Sequence, residues 1–142
     1  MRTVMISGNF DPFTHAHLDY IKQAMNYGGF ILCILSSDKQ LMVKKGKVNI
    51  PEASRKEILH LILEGLHIPH RAVINIHDRD TAFIEKAIRS WRPNILCRGG
   101  DKSIEDMPAG ELAACEEAMV EIVHAEFKID THGSQMEIGK EL

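Results

Sequence analysis

Cysteine is scarce in this chain: Cys33, Cys97 and Cys115 are its three, odd in number, widely spaced and without a CxxC pair. That excludes a disulfide framework and a zinc site built from spaced thiolate pairs, and it fits a reducing compartment. Neither sign of charge dominates, with 17 Lys and Arg against 20 Asp and Glu and a formal net of -3. A nucleic-acid-coating protein or a polybasic membrane binder is thereby excluded, and an anionic ligand must be met by a local cluster of cations. No basic-then-apolar leader opens the sequence, and no apolar run approaches the roughly 18 to 20 residues that a membrane helix requires. The expectation is a cytoplasmic protein without membrane or nucleic-acid partners. Two phosphate-binding signatures are missing as well: there is no GxxxxGK[ST], and no GxGxxG follows the first apolar run.

What is present is enough hydrophobic residues, 44% of 142, for one core, and we read residues 1–142 as a single domain. Thr3 to Ile6 is a short apolar run, and from His17 the residues Leu18, Ile21, Ala24 and Met25 recur at helical spacing until Gly28-Gly29. Phe30 to Leu35 (FILCIL) is continuously apolar, as a strand covered on both faces should be. A lysine-rich stretch from Ser36 to Asn49 lacks periodicity and reads as a long loop, after which Pro51 opens a helix with Ile58, Leu59, Ile62 and Leu63 on one face. Strands over Arg71–Ile76, Asn94–Cys97 and Val120–His124 alternate with helices over Thr81–Trp91 and Glu111–Met119. Five strands alternating with four helices predict a three-layer α/β domain: a Rossmann-like, doubly wound parallel sheet with right-handed crossovers.

In such a sheet, ligands bind beyond the carboxyl ends of the strands at the switch in strand order. The turn after the first strand, "SGNFDPFTHAHLDYI", lies there, and the connections over residues 36–50 and 98–110 open onto the same edge. The former carries Asp38, Lys39, Lys44, Lys45 and Lys47, and the latter carries "RGGDK", Arg98 to Lys102. Cations, a helix start and adjacent glycines that let a ligand lie against the main chain together describe a phosphate and nucleotide site.

"GNFDPFTHAH" resembles the G-x-F-D-x-x-[HT]-x-G-H signature of the nucleotidyltransferase superfamily of cytidylyltransferases and phosphopantetheine and nicotinamide mononucleotide adenylyltransferases. Gly8, Phe10, Asp11, Thr14 and His17 match, while Ala16 replaces the usual glycine. "SSDK", "EASRKEIL" and "ILCRGGDK" are similar to segments of the glycerol-3-phosphate cytidylyltransferase branch. The resemblance implies transfer of a nucleoside monophosphate from CTP or ATP to a small phosphorylated acceptor, with pyrophosphate released and Mg²⁺ carried by the triphosphate. It further implies that His17 donates to the α-phosphate, that Thr14 holds a phosphate oxygen, and that Lys44 or Lys45 closes over the phosphates from a mobile loop. Arg55 would place substrate phosphates, and Gly99, Gly100 and Asp101 would contact base and ribose. Arg98 would serve acceptor or triphosphate. Gly8, Asn9, Phe10, Asp11, His15 and Asp38 complete the expected binding set, with Asp11 structural or close to the metal rather than a base, and His15 lining the pocket or facing solvent. Relatives' habits imply a homo-oligomer.

The tail departs from the resemblance. Where relatives carry an ISSTxIR-like segment for the β and γ phosphates, this chain reads "KIDTHGSQMEIGKEL". Thr131 and Ser134 are the available donors, Ser134 and Glu137 having capping-box spacing. The missing arginine leaves a second expectation standing, a nucleotide-binding regulatory module without turnover. A third is a metal-dependent hydrolase built on the histidines around His67, His70, His77 and Asp78, although these lack a recognised ligand spacing and no metal ligand is assigned. Trp91, Met119 and the cysteines are expected in or near the core.

Overall fold

The computed structural model describes residues 1–99 and 106–125. In chain order the elements are β1 (Thr3–Gly8), α1 (His15–Ala24), β2 (Phe30–Leu35), α2 (Asp38–Lys45), α3 (Glu52–Gly65), β3 (His70–Ile74), α4 (Glu85–Trp91), β4 (Ile95–Arg98), α5 (Ala109–Ala118) and β5 (Glu121–His124). The five strands form one parallel sheet in the order β3-β2-β1-β4-β5, so the order reverses beside β1. This is the Rossmann-like doubly wound fold expected from the alternation of elements.

Successive residues of a strand face opposite sides of the sheet, and the core divides accordingly. Val4, Ile6, Ile31, Cys33, Leu35 and Cys97 pack beneath Tyr20, Ile21 and Ala24 of α1 and Leu59 and Leu63 of α3. Met5, Leu32, Ile34 and Leu96 face the other way, onto Ala87 and Ile88 of α4 and Ala114, Cys115 and Ala118 of α5. The continuous apolar run of β2 is therefore explained by cover on both faces. All three cysteines are buried free thiols, and burial pushes Cys97 and Cys115 up to about 11, which keeps them protonated and inert.

Four expectations are corrected. The stretch 36–49 is not one long loop: α2 occupies Asp38–Lys45, opened by a capping box in which the Ser37 hydroxyl accepts from Gln40 N–H and closed by Gly46 at φ 74. Its short, polar sequence hides periodicity because it buries little besides Gln40 and Leu41. The helix expected from Thr81 begins only at Glu85, since Asp78 at a distance caps its first turn, accepting from Lys86 and Ala87 N–H. Met119 is not core: it is 88% exposed and ends α5 in the left-handed region at φ 58. Within α3, Leu59 and Leu63 are buried, whereas Ile58 faces solvent. Trp91 is half-buried under the Arg71 guanidinium at 5.0 Å.

Candidate functional site

The β1–β2 ladder runs the full length from Thr3 to Gly8, whereas the β1–β4 ladder covers Val4↔Ile95 and Met5↔Leu96. Beyond Met5 the Tyr20 side chain of α1 enters the gap. Its hydroxyl donates to the Cys97 carbonyl and accepts from Ser7 N–H at 3.4 Å, strapping α1 across the divergent strand ends. Burial raises the phenol's pKa far above its ordinary value, so it stays a neutral donor. Above this strap opens a cavity of about 810 Å³, the size of a small-molecule site. Its lining includes Ile34, Leu96 and Cys97 at the strand ends, Gly8, Asn9 and His17 of the motif turn and α1, and Lys44, Lys45, Arg98 and Gly99. Gly99 lies close against the strap, where a Cβ would meet the Tyr20 ring at 3.2 Å, tighter than ordinary contact.

His17 is the third residue of α1, and its Nδ1 accepts from the Thr14 backbone N–H at 2.9 Å. In the neutral imidazole the proton must then sit on Nε2, which makes Nε2 a hydrogen-bond donor. The ring is held in place by Phe10, edge-on at 5.0 Å, and by Phe13 at 5.6 Å. Phe10 is itself buried with φ 49, so the turn places a large aromatic in the left-handed region; such backbone strain costs on the order of 1–3 kcal/mol. A helix start directed at the cavity adds partial positive charge beside the donor.

Thr14 caps α1, and its Oγ1 lies 3.2 Å from His17 Nδ1. It is not among the residues lining the cavity, and its contacts with His17 hold that ring in place. His15 is exposed beside Asp19 at 3.9 Å and does not meet the cavity. Asp11 is buried, with its two oxygens accepting from Asn49 N–H at 2.9 Å and Ile50 N–H at 2.7 Å. That carboxylate ties the α2–α3 connection to the motif turn. It also borders a smaller adjoining cavity with Phe10, His17, Lys45 and Lys47.

Arg55 differs most from its expected part. Its side chain is fully buried and donates through Nε to Ile50 O (2.8 Å), through Nη1 to Asn9 O (2.9 Å) and Ser36 O (2.6 Å), and through Nη2 to Asp38 Oδ1 (2.8 Å). It splices the carboxyl ends of β1 and β2 to the start of α2, and it does not line the cavity. Asp38 is likewise engaged with Arg55. Lys44 and Lys45 ride on α2 rather than a mobile loop, and Lys44 Nζ donates to Ser36 Oγ at 2.8 Å and Asn9 Oδ1 at 3.2 Å. The expected contacts of Gly100, Asp101, Thr131 and Ser134 lie outside the described residues.

Several lining groups were not singled out from the sequence. Gln40 is fully buried and its amide donates to the carbonyls of Thr81 and Phe83, both at 3.0 Å, joining α2 to the loop before α4. Glu111 of α5 accepts from Ile84 N–H at 3.0 Å. Ser36, Asn75 and Asp106 also face the cavity. Gln40 could have been found through the Ser37-x-x-Gln40 capping-box spacing; Glu111 and Asp106 carry no local signal. His67, His70, His77 and Asp78 do not converge: Asp78 is taken by α4, and His77 N–H by an Asn75 turn.

A family model described as cytidylyltransferase-like matches residues 5–132. Among curated proteins, the bifunctional protein HldE of Shewanella sediminis is 26% identical over 130 residues, 92% of this chain and 26% of that protein. HldE of Citrifermentans bemidjiense is 30% identical over 122 residues, 86% of this chain and 24% of that protein. The chain thus spans about a quarter of the length of these relatives. Among solved structures, the lipopolysaccharide core biosynthesis protein of Thermoplasma volcanium superposes with a TM-score of 0.67 at 24% identity, over 92% of this chain and 99% of that one. With the family model extending over most of its length and the motif turn at the switch point of the sheet, the chain belongs to the cytidylyltransferase-like family of nucleotidyltransferases.

Proposed function

We propose that this chain transfers a nucleoside monophosphate from CTP or ATP to a small phosphorylated acceptor and releases pyrophosphate. The observation that carries the reading is the His17 ring, whose tautomer is dictated by Thr14 N–H so that Nε2 is a donor, at a helix start in the same cavity as the Lys44 ammonium. A phosphate oxygen of the acceptor attacks the α-phosphorus, a new P–O bond forms, and the bond from that phosphorus to the bridging oxygen of the pyrophosphate breaks. An acceptor that already carries charge needs no base, so the protein's work is alignment and stabilisation of charge growing on the phosphoryl oxygens. His17 Nε2–H donates to an α-phosphate oxygen, and Lys44 or Lys45 meets the departing pyrophosphate as a point charge.

Both Asp11 oxygens already accept from Asn49 and Ile50 N–H, which reduces what this carboxylate can offer a metal. That fits Mg²⁺ brought in by the triphosphate and its own waters, with few protein ligands. When bound, the ion neutralises charge on the phosphate oxygens. The test is ligand-induced melting against CTP, ATP, GTP and UTP with Mg²⁺, followed by a pyrophosphate-release screen over phosphorylated acceptors. Stabilisation by one triphosphate and release with one acceptor are expected. Stabilisation without release across the panel would favour the regulatory-module reading, and neither effect would sink both.

A further inference from the structure

We propose that His60, Glu64 and His70 form a binding site for a divalent transition-metal ion of the Zn²⁺, Ni²⁺ or Cu²⁺ class, at the opposite end of the sheet from the nucleotide cavity. His60 and Glu64 are four residues apart on α3, so one helical turn stacks them on one face. His70 opens β3, the strand that follows α3. One ligand atom from each of the three side chains can be chosen so that all lie within 4.8 Å of one another. No local sequence spacing announces the set, because the crossover from α3 to β3 is what brings His70 back to the helix.

The donor geometry suits a metal as well as it suits an imidazole–imidazole hydrogen bond. His70 Nδ1 sits 2.7 Å from the Ile68 carbonyl, which can only accept, so Nδ1 carries a proton and Nε2 of the neutral ring presents its lone pair. A ring nitrogen anchored on a backbone carbonyl is the usual outer-shell support of a metal-binding histidine. His60 Nδ1 lies 2.9 Å from that Nε2. Two nitrogens each about 2.05 Å from a common ion stand roughly 2.9 Å apart when the angle between them is a right angle, and about 3.3 Å apart in a tetrahedron. The observed spacing therefore suits cis positions of a tetragonal or octahedral ion directly and a tetrahedral one after a small opening. Glu64 adds the negative charge that two neutral imidazoles lack. His60 and Glu64 are exposed and His70 half-buried, which leaves an entry path and open coordination positions for water.

The experiment is isothermal titration of the untagged, nucleotide-free chain with Zn²⁺, and separately Ni²⁺, comparing wild type with His60→Gln, Glu64→Gln and His70→Gln. His67→Gln and His77→Gln are controls that leave the three ligands intact. One saturable equivalent is expected, weakened by more than about tenfold in each ligand variant, since loss of mere outer-shell partners already costs roughly 10- to 100-fold, and unchanged in the controls. The exposed positions of His60 and Glu64 keep these variants folded, and visible absorption of the Co²⁺-loaded wild type gives an independent readout of nitrogen coordination. Absence of a saturable equivalent, or equal affinity in wild type and ligand variants, overturns the proposal. Neither result bears on nucleotide transfer, because none of the three residues lines the cavity.

Discussion

Replacing Arg55 by methionine separates two accounts of that residue. By resemblance, Arg55 grips substrate phosphate; by geometry, it is a buried splice. The substitution keeps the apolar stem and removes a guanidinium whose side chain is wholly buried. The Ser36 carbonyl, bonded at 2.6 Å in a buried setting, loses its partner outright, at about 1–3 kcal/mol. The carbonyls of Asn9 and Ile50 are partly buried and each lose a bond to a charged donor. Asp38 is 40% exposed and recovers water, so its ion pair adds little. The sum over the three carbonyls, each losing a bond to a charged donor, is about 3–5 kcal/mol. For a chain of this size that lowers Tm by roughly 10 to 15 °C. Denaturant unfolding of Arg55→Met and Asp38→Asn beside wild type measures it, with Asp38→Asn expected to cost about 1 kcal/mol or less. A loss under 1 kcal/mol in Arg55→Met, accompanied by a large fall in triphosphate affinity, would refute the structural account and restore the phosphate-binding one.

Three further outcomes follow from the geometry. His17→Ala removes the Nε2 donor and should lower kcat by about 10²- to 10³-fold, whereas His15→Ala, exposed and outside the cavity, should change it less than about twofold; steady-state pyrophosphate release reads both once the acceptor is identified. Met119→Gly relieves a left-handed residue at an exposed helix end, and after glycine's own entropy cost should stabilise by about 0.5–1 kcal/mol in chemical denaturation. His124 has a folded pKa lowered first by desolvation and then by the Arg98 charge. The unfolded state therefore binds more protons, and this contribution, full above the ordinary value of 6.5, is lost as pH falls from there toward the folded pKa. Melting from pH 8 to 5 should show wild type losing more stability than His124→Gln, and parallel curves would exclude the effect.

Reading the molecule from its sequence succeeds where the physics is local. FILCIL declares β2 because six consecutive apolar residues suit a strand with helices on both sides, and the observed bounds, Phe30–Leu35, coincide with the run. The turn containing His17 is legible because a helix start and a donor a few residues apart in the chain are written within one short βα connection. Even α2, missed for want of an apolar face, had a local mark in Ser37 and Gln40.

What only the tertiary structure decided are partnerships across the chain. Arg55 and Asp38 look like exposed, substrate-facing charges until α3 docks and buries the guanidinium against strand ends some 19 and 46 residues away in sequence. Asp11 has no sequence cue that its oxygens will be consumed by Asn49 and Ile50, nor Tyr20 that its hydroxyl will reach Cys97 and part β1 from β4. His60 and His70 become neighbours through the crossover alone. Periodicity, capping and motif spacing are written within a few residues because the backbone geometry that produces them is short-ranged. Which polar group is left to meet a ligand depends on which others have already been satisfied by packing, and that is set only when the whole sheet has assembled.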